Sequence, residues 1–397
     1  MTAAQEPGKS VHGPDGIFDR AGRVAAVAMQ NADEVDRLSR FPFEAVDGLK
    51  RERLLSAMLP TDVGGADVSL NDIARICFML GRGCASTAMI FAMHQIQIEC
   101  ISRHARQSPW HRHLLGRVCA EQLLFAGSTT DGRSGGDIRS SHSSIETGRD
   151  NIAVSKAAAV LSYGTEADGI VLTAKRNEAA LPSDQVLLVV LKPDYTLQQI
   201  AAWDALGMRG TCSANYRLEA VAQPCQIIPR PFAEIHQLTM IPTAHILWSS
   251  VWAGIAADAV DRARRCVRKS HDGPGLYNTA GARHVAEAAA KLQAVRASIL
   301  GAIQVYETSD EAAKQSFAFQ AQINQLKIFA SDNALAAAMA ALRACGLSGY
   351  RNGTDFSVGR HLRDVASAPL MISNDRIGQA LAGFSMAIDL TVWGSGE

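Results

Sequence analysis

Helical periodicity in this chain breaks off near residue 124 and resumes only near residue 240, so the fold must place a non-helical segment between two helical ones. Between about residues 17 and 124, Val24, Ala25, Val27 and Ala28, then Ile73, Ile76, Cys77 and Leu80, recur at the three- and four-residue spacing of a helix face. LPTDVGG, Leu59 to Gly65, interrupts that pattern with a Pro and a Gly pair, which is loop chemistry, and Asn71 and Asp72 are the expected caps of the helix that follows. From about 125 to 232 the chain turns to short apolar runs separated by Gly, Pro, Asp and Asn. Ile170 to Ala174 and Val186 to Leu191 read as strands, the second apolar enough to be buried on both faces, and Tyr216 to Val221 alternates. From Met240 onward stretches such as VAEAAAKLQAVRASILGAIQVY and NALAAAMAALRACGL are rich in Ala, which combines helix propensity with close helix approach. Helices, then strands, then helices, without βα alternation, argue against a doubly wound sheet or an α/β barrel. The expected fold class is α+β and mainly α. It comprises a loose tail at 1–16, an N-terminal helical domain at 17–124, a middle antiparallel β-barrel domain at 125–232 and a C-terminal four-helix bundle at 233–397.

Composition narrows the partners. Lys plus Arg and Asp plus Glu both number 39, so the formal net charge is zero and the general basic field that non-specific nucleic-acid binding needs is missing. A small-molecule partner is expected instead. The eight Cys are scattered, with no CxxC pair, which suits reduced thiols in a cytoplasmic protein better than a disulfide framework or a zinc site. The polar first 16 residues carry no apolar stretch for a signal peptide. Met240 to Val260 is long enough to span a bilayer, but Pro242, His245, Ser249, Ser250 and Asp258 interrupt it, so a core helix and no membrane partner are expected. His111 and His113 beside Trp110 read as solvated helix residues, and no metal site is expected. No GxGxxG fingerprint follows a strand and no GxxxxGK[ST] occurs, which removes the usual support for nicotinamide or nucleoside-triphosphate binding.

Six local motifs occur in order. LPTDVGG is similar to an LPxxxGG loop; TDGRSGGD, Thr130 to Asp137, stands where TEPxxGSD is found, with Asp131, Gly132 and Gly136 as departures; SYGTEAD, Ser162 to Asp168, follows an upstream Lys156. LGMRGTCS, Leu206 to Ser213, matches LGxRGTxS, CGLSGY, Cys345 to Tyr350, stands for GGxGY, and RHLRD, Arg360 to Asp364, matches RxxRD. In this order, over more than three hundred residues, the chain resembles the acyl-CoA dehydrogenase flavoprotein family. The resemblance implies FAD as cofactor, with Phe125, Gly127, Ser128 and Thr130 along the flavin ring, Gly135 and Gly136 in the same loop, and Ser162 near the reactive N5. It implies a homodimer or homotetramer in which Gly346 and Gly349 of CGLSGY complete a neighbouring subunit's flavin site. Gly207, Gly210 and Gly349 read equally as turn glycines, and Arg363 with Asp364 as a structural ion pair. By the same resemblance Arg209, Met371 and Ile372 would contact substrate.

The implied reaction is oxidation of an acyl thioester, carried by CoA or a carrier protein: a carboxylate takes the α-proton and hydride passes to flavin N5. An electron-transfer flavoprotein is the implied acceptor. The residues break with the family here. The usual Glu lies eight residues past the RD pair, where this chain has Ile372, and the alternative position on the first bundle helix appears as Ala244 beside His245. A general base is commonly worth about a hundred- to ten-thousand-fold. Asp375, His94, His245 and His361 are the candidate replacements. A reaction needing no such base is the other resolution. It leads to a flavin-dependent monooxygenase of the same fold, using reduced FMN or FAD and oxygen, with His94 and Ser162 beside the flavin. A catalytically degenerate member with a binding or assembly role is the non-enzyme alternative.

Overall fold

The computed structural model describes residues 16–132, 137–271 and 275–386. The N-terminal helices are α1 (Ile17–Leu38), α2 (Phe43–Arg51), α3 (Leu70–Gly83), α4 (Ala85–Ala105) and α5 (Pro109–Glu121). The cap of α3 is Ser69, whose Oγ accepts from the Asp72 amide at 3.1 Å, so the helix starts earlier than Asn71 and Asp72 suggest. Helix α4 is buried nearly all round, which fits its position between the other helices and the strands.

Seven strands follow: β1 (Phe125–Ser128), β2 (Glu146–Thr147), β3 (Ile152–Leu161), β4 (Gly169–Lys175), β5 (Gln185–Leu191), β6 (Tyr195–Ala201) and β7 (Ala214–Ala222). Among the described residues they form two sheets, β1-β4-β5 and β2-β3-β7-β6. The strand β1 pairs with β4 in parallel, Phe125 opposite Gly169, and the other ladders are antiparallel. The parallel pair requires the intervening chain to cross over, so β2 and β3 are delivered to the second sheet before β4 returns to β1. Both β4 and β5 are buried on both faces, and β7 alternates, as their apolar patterns require.

The C-terminal part comprises α6 (Phe232–Ile235), α7 (Ile241–Ser270), α8 (Ala280–Thr308), α9 (Glu311–Gln315), α10 (Phe317–Cys345), α11 (Leu347–Tyr350), α12 (Gly359–Val365) and α13 (Asn374–Ser385). Long helices α7, α8 and α10 pack on one another, and α13 packs on α10. Helix α3 also packs on α7, joining the two helical parts. At the crossing, a Cβ on Gly254 would stand 2.3 Å from the Phe78 carbonyl oxygen and one on Gly81 2.6 Å from that of Val251, so both positions need glycine. Among the described residues no helix is long and apolar enough to cross a membrane. All eight Cys are free, six of them buried.

Candidate active site

The exit from α5 into β1 is pinned from several elements. The Leu124 amide donates to Asp168 Oδ2 at 2.8 Å, and Lys50 Nζ reaches the same oxygen at 3.1 Å. The Phe125 amide donates to His94 Nδ1 at 3.0 Å, and Tyr163 donates its hydroxyl to the Phe125 carbonyl at 3.0 Å. These bonds set the SYGTEAD turn beside β1. Gly127 lies against Gln97, whose Nε2 would be 2.4 Å from an added Cβ. Beyond β1, Thr173 Oγ1 donates to the Thr129 carbonyl at 3.1 Å and itself accepts from Lys156 Nζ, also at 3.1 Å. Burial pushes that lysine down to about 8, against the opposing charge of Asp131. Thr130 is half-buried at this exit, whereas Gly135 and Gly136 lie outside the described residues.

Ser162, at the end of β3, is half-buried and shares a hydrogen bond of 2.7 Å with Ser213 Oγ. Ser213 shares another of 2.7 Å with Thr211 Oγ1, and Thr211 donates to the Met208 carbonyl at 2.8 Å. The loop that carries them is held by distant segments. The Gly210 amide donates to Ser86 Oγ, the Tyr163 amide donates to the Thr211 carbonyl, and the Met208 amide donates to Asp364 Oδ1 at 2.7 Å. Arg363 pairs with Asp36, so Arg363 and Asp364 do not serve as each other's hydrogen-bonding partner; each ties the C-terminal part to a different element. Gly207 is needed for close approach rather than for a turn, because a Cβ there would lie 2.1 Å from the Arg363 carbonyl oxygen. Arg209 donates through Nε and Nη1 to the carbonyls of Asp36 and Ala205, which makes it a strut between the loop and α1.

The candidate bases separate clearly. His94 is fully buried: its Nε2 donates to the Leu55 carbonyl at 2.8 Å while Nδ1 accepts from Phe125, and burial pushes it down to about 4. With both nitrogens committed to backbone, it is a structural histidine, which corrects its candidacy both as base and as oxygen-side partner. Asp375 is exposed on the first turn of α13, and its inward neighbour is Asn374, so the carboxylate does not replace the missing Glu. Successive helical residues point about 100° apart, which is why a shift of one position changes the outcome. His245 is also buried, with Nδ1 donating to the Ile323 carbonyl at 3.2 Å. That bond fixes the neutral tautomer and leaves Nε2 as a bare lone pair without a hydrogen-bonding partner. Burial pushes His245 down to about 3, which makes it a weak proton acceptor.

Ile372 and Met371 are partly buried in the turn before α13, and Ile372 has φ of 52°. A β-branched residue is strained in this left-handed region. Sequence reading missed the group that holds it. Lys327 on α10 is fully buried and donates to the carbonyls of Ala368 at 3.0 Å and Ile372 at 2.6 Å and to Asn374 Oδ1 at 2.7 Å. Burial pushes Lys327 down to about 8. The available signal was a lone Lys between Leu326 and the apolar Ile328, Phe329 and Ala330.

Gly346 has φ of 56° and Gly349 packs on Cys345, while the neighbouring Leu347 and Tyr350 are 77% and 72% exposed. His111 is buried, with Nδ1 on Ser108 Oγ, whereas His113 is exposed, so only the second is the solvated residue expected. Among the described residues no three His, Cys, Asp or Glu side chains gather as a metal site. What the site offers a ligand is small and polar. Ser162 is half-buried, and Ser128 Oγ and Gln97 Oε1 are buried without hydrogen-bonding partners. Together with Thr130, this set matches a planar heteroaromatic ring with a polar edge better than a metal or a triphosphate.

The chain is similar to known proteins in sequence and in fold. The model for the acyl-CoA dehydrogenase N-terminal domain matches residues 17–119, and that for the acyl-CoA dehydrogenase C-terminal domain matches residues 240–371. A cyclohex-1-ene-1-carbonyl-CoA dehydrogenase of Geobacter metallireducens is 25% identical over 88% of this chain and 91% of its own. An amino sugar nitrososynthase of Streptomyces peucetius is 23% identical over 89% of this chain and 88% of its own. Among solved structures, FMN-bound TdsC, a dibenzothiophene monooxygenase from Paenibacillus sp. A11-2, superposes with a TM-score of 0.81. It is 17% identical and covers 93% of this chain and 97% of that one.

Proposed function

The chain belongs to the acyl-CoA dehydrogenase family, and from that premise we propose that it is a flavin-dependent oxidoreductase whose substrate step uses no carboxylate base. A bound flavin would supply two-electron chemistry, either withdrawing electrons from a substrate or, when reduced, activating oxygen. Residues of this chain would suit such a ring: Ser162 would meet its polar edge, Ser128, Gln97 and Thr130 would supply further polar contacts, and Phe125 and Gly127 would stand behind them. The relatives include both CoA-thioester dehydrogenases and oxygen-using enzymes, so membership alone does not choose the reaction.

The observation that carries the choice is the state of the candidate bases. Ile372 stands in the usual Glu position, His94 has no free nitrogen and Asp375 faces solvent. Removing an α-proton from a thioester needs an acceptor matched to the working pH. Monooxygenation of a heteroatom-bearing substrate by reduced FMN or FAD does not, and it is the reading this geometry supports best. A second reading, oxidation of a CoA- or carrier-protein-bound acyl thioester by FAD with an electron-transfer flavoprotein as acceptor, is favoured by one feature. His245 Nε2 is an unpaired lone pair beside Ala244, the position the family resemblance implies for an alternative Glu. In either case the division at 17–124, 125–232 and 233–397 would give one subunit. The open Leu347 and Tyr350 beside Gly346 and Gly349 support pairing with further copies as a homodimer or homotetramer.

The visible spectrum of the purified protein after incubation with FMN and FAD tests the flavin reading, and a protein that takes up neither points to the degenerate, non-enzymatic alternative. With a flavin bound, anaerobic bleaching by an acyl thioester supports dehydrogenation. Oxygen incorporation that needs a supplied flavin reductase supports monooxygenation.

A further inference from the structure

A second cleft opens between α1, the LGMRGTCS loop, the middle of α7 and the residues around α12. Its volume is about 500 Å³, and none of the residues matched above to the ring lines it. Five arginines do: Arg37, Arg209, Arg262, Arg360 and Arg363. The carboxylates on its wall leave them short of partners. Asp36 accepts from Arg363 at 3.0 Å, Glu34 accepts at 2.8 Å from Arg40, which does not line the cleft, and Asp33 is 91% exposed. Only Asp33 serves Arg360. The Arg360 side chain is 11% exposed and its Nε donates to Asp33 Oδ1 at 3.0 Å; among the described residues its two terminal nitrogens have no hydrogen-bonding partner. Asp364, one turn along α12, gives Oδ1 to the Met208 amide instead. A bond to so exposed a carboxylate is worth little, so a guanidinium has been drawn from water with its fork unfilled. Arg262 keeps Nη2 free after Nε donates to Asp258 at 2.8 Å and Nη1 to the Ser357 carbonyl at 3.2 Å, and the exposed Arg37 makes neither hydrogen bond nor ion pair among the described residues. His361, the remaining candidate base, is buried and lines the same cleft. Its Nε2 donates to Asp258 Oδ2 at 2.7 Å, which leaves Nδ1 as a buried lone pair without a hydrogen-bonding partner.

We propose that this cleft is a second ligand site, which takes a phosphate group, free or as the monoester of a small polar molecule, on Arg360, Arg262 and Arg37. Guanidinium forks match phosphate and carboxylate oxygens alike. Two observations favour phosphate. Three arginines with donors to spare line the cleft from α1, α7 and α12, which is more charge than one carboxylate calls for. His361 Nδ1 can only accept, and a singly protonated phosphate or a hydroxyl beside it brings the hydrogen that a carboxylate lacks. The volume exceeds that of a bare anion and falls in the range of small-molecule sites, so an ester has room. The inference does not depend on the flavin reading.

The test is calorimetric titration of the full-length protein with inorganic phosphate, glucose 6-phosphate and acetate, before and after saturation with whichever flavin it takes up. A phosphate is expected to bind with a Kd below about 1 mM in both states, and acetate at least about tenfold more weakly. Tighter binding of glucose 6-phosphate identifies an ester site, and tighter binding of inorganic phosphate a site for the free ion. Arg360→Met is expected to weaken phosphate at least about tenfold, the value of one charge-assisted hydrogen bond, and Arg360→Lys to recover part of the loss, since it keeps a charge without the fork. Arg37→Gln, at an exposed position, is expected to weaken it about threefold. A thermal melt checks that each variant is folded. Should Arg360→Met not fold, Arg37→Gln and the wild-type titrations decide the matter. If the wild-type protein binds neither phosphate, or a folded Arg360→Met binds as the wild type does, the inference falls while the flavin reading stands. Phosphate that binds only before flavin is added would give these arginines to the flavin's own phosphate, and the second site falls.

Discussion

Gly207 and His94 show how residues that stand out in a sequence can owe their place to contacts rather than to chemistry. Gly207 belongs to the LGMRGTCS motif and reads as a turn residue, yet its requirement is set by the backbone of Arg363, 156 positions later. Gly207→Ala is expected to cost about 3 kcal/mol or more, because the obstacle is backbone that cannot rotate away, and chemical denaturation would register it. An unchanged denaturation midpoint would mean that the two segments do not touch. His94 reads as a reactive group on an apolar helix, and the structure makes it a two-sided peg between the Leu55 carbonyl and the Phe125 amide. His94→Ala leaves both backbone groups unpaired in a buried place and is expected to lower stability by about 2–4 kcal/mol. Retained stability with lost turnover would return His94 to the chemistry. Motif spacing made the identities of these residues legible. Their partners were not, since each lies in a different part of the chain.

At the scale of elements, helix and strand positions were legible where apolar period and length agreed, as in β4, β5 and the long α7, α8 and α10. Pairing was not. The parallel bond between β1 and β4 joins a four-residue strand to one beyond two intervening strands, and nothing local in FAGS announces it. The turn between α12 and α13 is the other case. Its departure from the family pattern at Ile372 was plain from counting, but its support by Lys327 needed the fold. Lys327→Met, which keeps the length of the side chain, leaves three oxygens without their donor and is expected to destabilise by about 2–4 kcal/mol. Hydrogen exchange should rise selectively in residues 368–374 on α10's flank. If protection there is unchanged, the lysine is not what holds the turn.

The whole molecule should be acid-sensitive despite its balanced charge. His94, His104, His111 and His236 are pushed by burial from 6.5 down to about 4, and His245 to about 3. The unfolded chain therefore binds more protons than the folded one as pH falls from about 6.5 to 4, and stability is lost across that window. Asp364 works in the opposite sense: burial raises its carboxyl from 3.8 to about 6, so it penalises the folded state as pH rises through that range. Five groups outweigh one. A melting temperature that falls steeply between pH 6.5 and 4.5, with uptake of more than one proton on unfolding, is expected, and a flat profile would show that these histidines are not held neutral.

The bond from Asp364 to the Met208 amide also governs the order in which the molecule can be completed as it is synthesised. Strands β3 and β7 can pair as soon as residue 222 has emerged, but the loop between Leu206 and Ser213 waits for a carboxylate from the last tenth of the chain. Until then the loop keeps its ties to Ser86, Tyr163 and Asp36 but lacks this one. A nascent or truncated chain that stops short of RHLRD would lack the carboxylate that fixes Met208 and so present a ligand site short of one of its ties.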